Sequence, residues 1–392
     1  MNGRALKVAV VAGEVSGDLL GGDLIAALKG KIDRPVELVG VGGDALEAQG
    51  LRSLFDYSEL SIMGITQVLA RLPNLIRRIG QTADAIIAAK PDVLIIIDSP
   101  DFTHRVAKKV RAALPGLPIV NYVCPSVWAW KEYRAKAMLP YVDRVLAVLP
   151  FEPEAMQRLG GPRTDFVGHR LTADPDILRV RELRAARPLK NASDPKTILL
   201  LPGSRGAEIK ALLPIFDEVM HEFTRRNGPT RFILPTVKRR EALVREIVAG
   251  LEIKPEIVVD QAGKWTVFAE ADAAIAASGT VILELALATV PVVSTYKADW
   301  LITMMSERIK IWSGALPNLI ADRVVVPEYF NRMIRAGALC RWAEQLSVDS
   351  GPRRAMLEGY DLTWQNLSVP VPPGEAAAAI VLDLLSNKKP GH

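Results

Sequence analysis

The sequence predicts an α/β protein of two doubly wound, Rossmann-like domains that face a cleft. Three observations predict it. Short, nearly all-apolar runs alternate with longer amphipathic helical patterns, as expected of parallel strands buried on both faces. The alternation stops in a polar, proline-containing stretch near the middle of the chain and then restarts. The 392 residues also exceed what one hydrophobic core usually serves, so two domains of roughly 150 to 200 residues are expected.

In the first half, residues Leu6–Ala12, Val36–Val41, Val93–Ile97, Ile119–Val123 and Arg144–Leu149 have the β-branched, apolar character of buried strands. Pro175, Pro188, Pro195 and the Arg-rich run from Arg179 to Arg187 then mark a break. Thr197–Leu201, Phe232–Leu234, Ile257–Val259, Ala273–Ala276 and Val290–Ser294 resume the strand pattern, and only helical patterns follow, at Arg332–Leu346, Arg353–Asn366 and Glu375–Leu385. The expected division is a first domain at 1–172, a linker at 173–196, a second domain at 197–365, and a C-terminal helix at 366–392 that can return to the first domain.

A net charge of +5 and a pI near 9.1 favour an anionic partner. Basic clusters interleaved with aromatics are missing, which argues against nucleic acid. The two cysteines, Cys124 and Cys340, lie far apart and suit a reducing cytoplasm rather than a disulfide framework. The apolar stretch Ala5–Ala12 meets Gly13 and Glu14 without a cleavage-site pattern, so it is expected to be a first strand. No apolar run reaches the ~18 to 20 residues of a membrane span, so any membrane association is expected to be peripheral. No His, Cys, Asp or Glu grouping has metal-ligand spacing, and no cofactor fingerprint is complete.

Ligands of such folds bind at the carboxyl ends of the strands, and the unusual residues fall there. After the first strand comes Gly13-Glu14-Val15-Ser16-Gly17-Asp18, a permissive turn that places Glu14 toward a ligand and a helix that Ser16 or Asp18 could cap. After the third, Asp98-Ser99-Pro100-Asp101-Phe102 places Asp98 as a candidate general base, or as a cap for the next helix. After the fourth, Cys124 to Lys131 contains Trp128 and Trp130, which either cover a core or contact a sugar or acyl chain. In the second half, Pro202-Gly203-Ser204-Arg205 opens a helix with backbone amides and a guanidinium suited to a diphosphate. Ser278, Gly279 and Thr280 open another, and Glu284 sits one turn in among apolar residues, suited to ribose hydroxyls.

Taken in order, Gly13–Asp18, the glycine turn ending at Gly43, Met63-Gly64-Ile65, Ile97–Phe102, Pro125–Trp130, Leu201–Arg205, Ser278–Thr280 with Glu284, and Leu316-Pro317-Asn318 resemble the lipid-A-disaccharide synthase family over about 300 residues. Each motif is modest alone, and the ordered set is specific. The resemblance implies a glycosyltransferase-B fold and an inverting transfer from UDP-2,3-diacylglucosamine to 2,3-diacylglucosamine 1-phosphate. It implies Asp98 as the essential carboxylate, for which Glu14 remains a second candidate from its place in the first turn, and Gly203, Ser204, Arg205, Ser278, Gly279, Thr280, Glu284 and Asn318 around the UDP donor. It implies Ser16, Gly17, Asp18, Gly43, Met63, Ser126 and Trp128 toward the acceptor or lipid, with the enzyme peripheral on the inner face of the inner membrane. The segment Met63–Ala89, with Arg71, Arg77 and Arg78 beside apolar positions and Pro73 breaking the run, is the candidate lipid-facing stretch or else a helix packed on the sheet. The alternatives are a UDP-N-acetylglucosamine epimerase-like enzyme, another lipid-linked sugar transferase, or a nucleotide-sugar binding module without turnover. The oligomeric state has no signal in the sequence.

Overall fold

The structure, a computed structural model, describes residues 4–60, 65–297 and 310–387, with the backbone alone for residues 58 and 65–72. The chain divides into two compact units, residues 1–170 with 369–392, and residues 171–368.

The first unit carries β1 (Leu6–Ala12), β2 (Val36–Val41), β3 (Val93–Ile97), β4 (Ile119–Tyr122), β5 (Arg144–Ala147) and β6 (Thr164–Phe166), all parallel, in the order β2-β1-β3-β4-β5-β6. Alternate residues of β1 feed opposite faces. Ala9 and Val11 join Leu94, Ile96, Phe102 and Val106 on one side. Val8 and Val10 join Ile95, Ile97, Leu24 and Val381 on the other. Both faces are buried, which is why these strands read as continuous apolar runs. The chain returns to this unit at its end. Helix Pro373–Ser386 lies on helix Val15–Lys31, where a Cβ on Gly374 would stand 2.8 Å from the Asp23 carbonyl oxygen, so only glycine allows the approach.

The second unit carries β7 (Lys196–Leu201), β8 (Thr230–Pro235), β9 (Glu256–Val258), β10 (Ala273–Ala277), β11 (Val292–Tyr296) and β12 (Glu328–Phe330), parallel in the order β12-β11-β10-β7-β8-β9. Each sheet has a place where chain order reverses, between β1 and β3 in the first and between β7 and β10 in the second. Ala12 pairs with Ile97 and Leu201 with Ala276 across these positions. The turns leaving each such strand pair therefore emerge side by side, where doubly wound sheets bind ligands.

Three sequence expectations require correction. Residues 173–196 are not a bare linker: helix Pro175–Ala185, capped by the Asp174 carboxylate, buries Ile177 and Val180 and belongs to the second unit. Arg181 and Arg184 tie it there by donating to the carbonyls of Leu287 and Thr289 at 3.0 and 3.1 Å. Strands β6 and β12 had no apolar run to announce them, because each is a three-residue edge strand that is only partly buried. Pro73 does not break its segment; helix Ile65–Ala89 runs through it. In the described part of that helix Ile79, Ala83 and Ile86 are core residues, whereas Ile76 is 54% exposed. Met63 lies outside the described residues.

Candidate active site

At the carboxyl end of the first sheet, the turns after β1 and β3 meet. A Cβ on Gly13 would fall 2.5 Å from the Ser99 Oγ, so the contact demands glycine, and that hydroxyl stands 3.5 Å from the Glu14 Oε1. Asp98 and Ser99 both adopt left-handed backbone conformations, with φ of 52° and 44°. Such conformations cost about 1–3 kcal/mol each and persist where surrounding bonds enforce them. Here the Asp98 N–H donates to the Tyr122 carbonyl at 3.1 Å, the Thr103 hydroxyl donates to the Asp98 carbonyl at 2.7 Å, and the Ser99 N–H donates to the Asp98 Oδ1 at 2.7 Å. The other carboxylate oxygen of Asp98 takes no hydrogen bond among the described residues. Helix Pro100–Ala113 has no side-chain cap, so Asp98 is not consumed in capping it, and it is partly buried. Asp101 is exposed and pairs with Arg134 at 3.5 Å.

Glu14 reaches the surface beside Asp98. Desolvation first, and then the Asp98 charge, lift its carboxyl above the usual range, while the Ser99 hydroxyl pulls it down. Two carboxylates of one turn pair are thus in electrostatic contact, an arrangement suited to holding or moving a proton.

Several residues expected around this site are structural. Helix Val15–Lys31 has Glu14 at its N-cap with no side-chain bond, so neither Ser16 nor Asp18 caps it. Asp18 is 3% exposed and accepts the amides of Gly43, Ala45 and Leu46 at 2.7, 2.9 and 3.3 Å, capping helix Asp44–Ala48 instead. Gly17 lets its helix lie on Ile97, and Gly43 lies where a Cβ would strike the Tyr57 ring at 2.3 Å. Ser16 is exposed next to the turn. Trp128 is partly buried, edge-on to Phe151 at 5.0 Å, with its Nε1 donating to Glu152 at 3.1 Å. Ser126 is exposed, and its carbonyl holds the turn by accepting from Ala129 and Trp130. Burial pushes the Cys124 thiol up, so it is inert.

Glu152 is the residue sequence reasoning missed here. It is 2% exposed, accepts the amides of Val148 and Leu149 at 3.1 and 3.0 Å besides Trp128, and is pushed up to about 7 by burial. The amides of Val148 and Leu149 lie only four and three residues before it, but the Trp128 indole is distant in sequence, and no residue type marks the amides as its donors. Replacing Glu152 by Ala orphans all three, so the variant is expected to lose about 3 kcal/mol of stability, read as a lower midpoint in urea.

Two histidines add a pH dependence. Burial is the main cause holding His104 and His169 down at about 4, with nearby cations assisting. The unfolded chain therefore binds more protons than the folded one between pH 6.5 and about 4. Stability present above pH 6.5 is lost as pH falls through that window, by on the order of 3 kcal/mol per histidine, and Glu152 offsets part of it by taking up a proton in the folded state. Melting temperature against pH should slope less steeply in His104→Gln than in the parent.

In the second unit, β7 runs into Pro202, Gly203, Ser204 and Arg205, and helix Gly206–Asn227 begins. Gly203 has φ of 97°, and a Cβ there would meet the Glu208 Oε2 at 2.5 Å and the Ala277 Cβ at 3.3 Å. The turn after β7 thus touches the end of β10, after which Ser278 and Gly279 open helix Thr280–Leu287. Neither helix start carries a side-chain cap, so two sets of backbone amides and two positive dipole ends lie together. Arg205 is 65% exposed and donates to Glu208 at 2.9 Å, which aims it along the turn. Ser278 donates to the Gly314 carbonyl at 3.3 Å. This arrangement is suited to a diphosphate.

Glu284 is partly buried, as its apolar neighbours in sequence suggested, but the compensating group inside the protein is Lys264, at 2.6 Å from Oε2. Lys264 comes from helix Gln261–Glu270, so sequence spacing could not reveal the pair. The second Glu284 oxygen makes no hydrogen bond among the described residues. Asn318, expected at the donor, is 1% exposed and fully engaged: its amide group donates to Ser313, the Val326 carbonyl and Glu328, and its oxygen accepts the amides of Val325 and Val326 at 2.8 and 2.7 Å. Glu328 also accepts the Gly314 amide at 3.0 Å, so Asn318 supports the Ser278 turn from behind.

Known proteins resemble this chain in sequence and in fold. The model of the lipid-A-disaccharide synthetase family matches residues 8–345. The lipid-A-disaccharide synthase of Nitrobacter winogradskyi is 44% identical over 385 residues, covering 98% of this chain and 96% of its own. Among solved structures, the glycotransferase of kitacinnamycin superposes with a TM-score of 0.61 at 16% identity, covering 99% of this chain and 100% of its own. A putative UDP-N-acetylglucosamine 2-epimerase from Listeria monocytogenes gives 0.59 at 14%, covering 98% and 96%. At such identities the structural likeness speaks for the glycosyltransferase-B fold alone. The matched family model and the near-full-length relative go further: the chain belongs to the lipid-A-disaccharide synthase family.

Proposed function

We propose that this chain joins UDP-2,3-diacylglucosamine to 2,3-diacylglucosamine 1-phosphate with inversion, giving the β-1,6-linked disaccharide 1-phosphate and UDP, and that Asp98 is the general base. The observation that carries the assignment is the strained Asp98-Ser99 turn, which spends backbone energy to present one uncommitted carboxylate oxygen at a topological switch point. As the acceptor hydroxyl oxygen bonds to the anomeric carbon, its proton passes to Asp98 and the bond to UDP breaks with its electron pair on the departing phosphate. Arg205 and the two uncapped helix starts in the second unit bind that growing charge. The free oxygen of Glu284 accepts from ribose hydroxyls while Lys264 fixes the other.

Glu14 positions the acceptor or shares the proton, and exposed Ser16 and Ser126 border the same end of the first sheet. Both substrates carry acyl chains, so the protein works peripherally at a lipid surface on the cytoplasmic side. No helix among the described residues is long and apolar enough to cross a membrane. The test is UDP release from UDP-2,3-diacylglucosamine in detergent micelles with EDTA. Release that depends on 2,3-diacylglucosamine 1-phosphate supports the transfer; release or epimerisation without acceptor would overturn it.

A further inference from the structure

We propose that the second unit binds one small monovalent anion, of chloride or bromide size, among Arg184, Arg187, Lys190 and Arg353. These four cations line a cavity of about 30 Å³ in which Asp272 is the single carboxylate. Asp272 is already committed. Its Oδ1 accepts from Arg187 at 2.7 Å, and its Oδ2 accepts the Thr197 amide at 2.7 Å and forms an ion pair with Lys190 at 2.9 Å, while the Lys190 ammonium donates to the Pro195 carbonyl at 2.6 Å. Among the lining residues one negative charge faces four positive ones, and the cavity lies at the amino ends of β7 and β10, away from the carboxyl ends that carry the donor turns.

Unspent donors point to what completes the charge. Arg353 is 8% exposed, yet its Nε is buried with no hydrogen-bond partner among the described residues. Its Nη1 donates to the carbonyls of Asp272 and Leu346, and its Nη2 makes no hydrogen bond within the described residues. Arg184 donates through Nε and Nη1 to the carbonyls of Thr289, Phe268 and Ala271, leaving its Nη2 without a protein acceptor. A buried guanidinium N–H without an acceptor is costly, more so when the group is charged. Arg353 also occupies the first turn of helix Gly351–Leu367, which has no acidic residue there, so the helix dipole adds to the positive potential. The crowding is felt by Arg184, which burial and then the Arg353 and Arg187 charges hold down to about 9.

Size selects the ligand. A volume of about 30 Å³ is room for one small ion among these side chains. Bound there, the anion would join helix Pro175–Ala185 and the segment that leads from it into β7 to the start of helix Gly351–Leu367, which is distant in sequence.

The test is thermal unfolding of the full chain in sodium chloride, sodium bromide and sodium gluconate at equal ionic strength. A saturable rise in melting temperature of about 3–6 °C with either halide over gluconate is expected at a hundredfold excess over Kd. Lys190→Gln, which alters a side chain already 25% exposed, and Arg353→Lys, which keeps the charge but removes Nε, should each abolish that difference. Chloride NMR line broadening by the folded protein should be lost in Lys190→Gln even where Arg353→Lys does not fold. Equal melting temperatures in all three salts, or a halide response and line broadening unchanged in Lys190→Gln, would overturn the proposal.

Discussion

Asp98→Asn is expected to lower kcat/KM for acceptor-dependent UDP release by about 10³-fold, within the 10²–10⁴ range typical of a lost general base. The substitution is nearly isosteric. Asparagine tolerates the left-handed conformation that Asp98 adopts at φ 52°, and its side-chain oxygen can still accept the Ser99 amide that now bonds Oδ1. The Thr103 bond to the Asp98 carbonyl is untouched because it is made by the backbone. What disappears is the ability of the second oxygen to take a proton. Melting temperature and UDP affinity, which depend on other residues, should therefore stay at parental values. Glu14→Gln is the companion experiment, since Glu14 stands close enough to Asp98 for the two charges to interact. A loss near tenfold would fit a positioning or proton-sharing role. A loss as deep as that of Asp98→Asn, with Asp98→Asn itself mild, would transfer the base assignment to Glu14.

The fold was legible because burial on both sheet faces writes itself into sequence as unbroken apolar runs, and ten of the twelve strands carry one. The exceptions, Thr164–Phe166 and Glu328–Phe330, are edge strands whose polar residues need no core. The strand order was not legible. Nothing local to Gly13 and Asp98, or to Gly203 and Ser278, says that β1 neighbours β3 or β7 neighbours β10, yet within each unit that adjacency brings the candidate turns together. Side-chain direction was equally hidden. Asp18 and Asn318 lie within motifs that suggest ligand contact, but both turn inward to satisfy backbone amides of other segments. Their importance is therefore to backbone geometry. Glu152 and Lys264 show the reverse case, because a buried pair made between separate elements leaves no spacing to detect. Residues at positions that only one backbone geometry allows, such as Gly13 against Ser99, were the most readable, since glycine there reports a close approach directly.

Arg205→Ala is the second large effect, expected at about 10²-fold in kcat with a smaller rise in KM for the donor. The asymmetry follows from where charge develops. In the ground state the diphosphate can be bound by the amides at the starts of helices Gly206–Asn227 and Thr280–Leu287, which the substitution leaves in place. As the sugar leaves, one further negative charge grows on the terminal phosphate, and a guanidinium that donates more strongly to that charge accelerates the chemical step. Arg205 is 65% exposed and its one protein partner is Glu208, so losing it should change stability little. Arg205→Lys keeps the charge but not the forked donors and should recover only part of the rate. Glu208 supplies an internal control: Glu208→Gln retains an acceptor for Arg205 while removing a carboxylate from beside the phosphate turn, so turnover should be preserved or modestly raised. If Arg205→Ala instead raised donor KM and left kcat unchanged, Arg205 would bind ground and transition states alike, and stabilisation of the leaving group would fall to the helix amides alone.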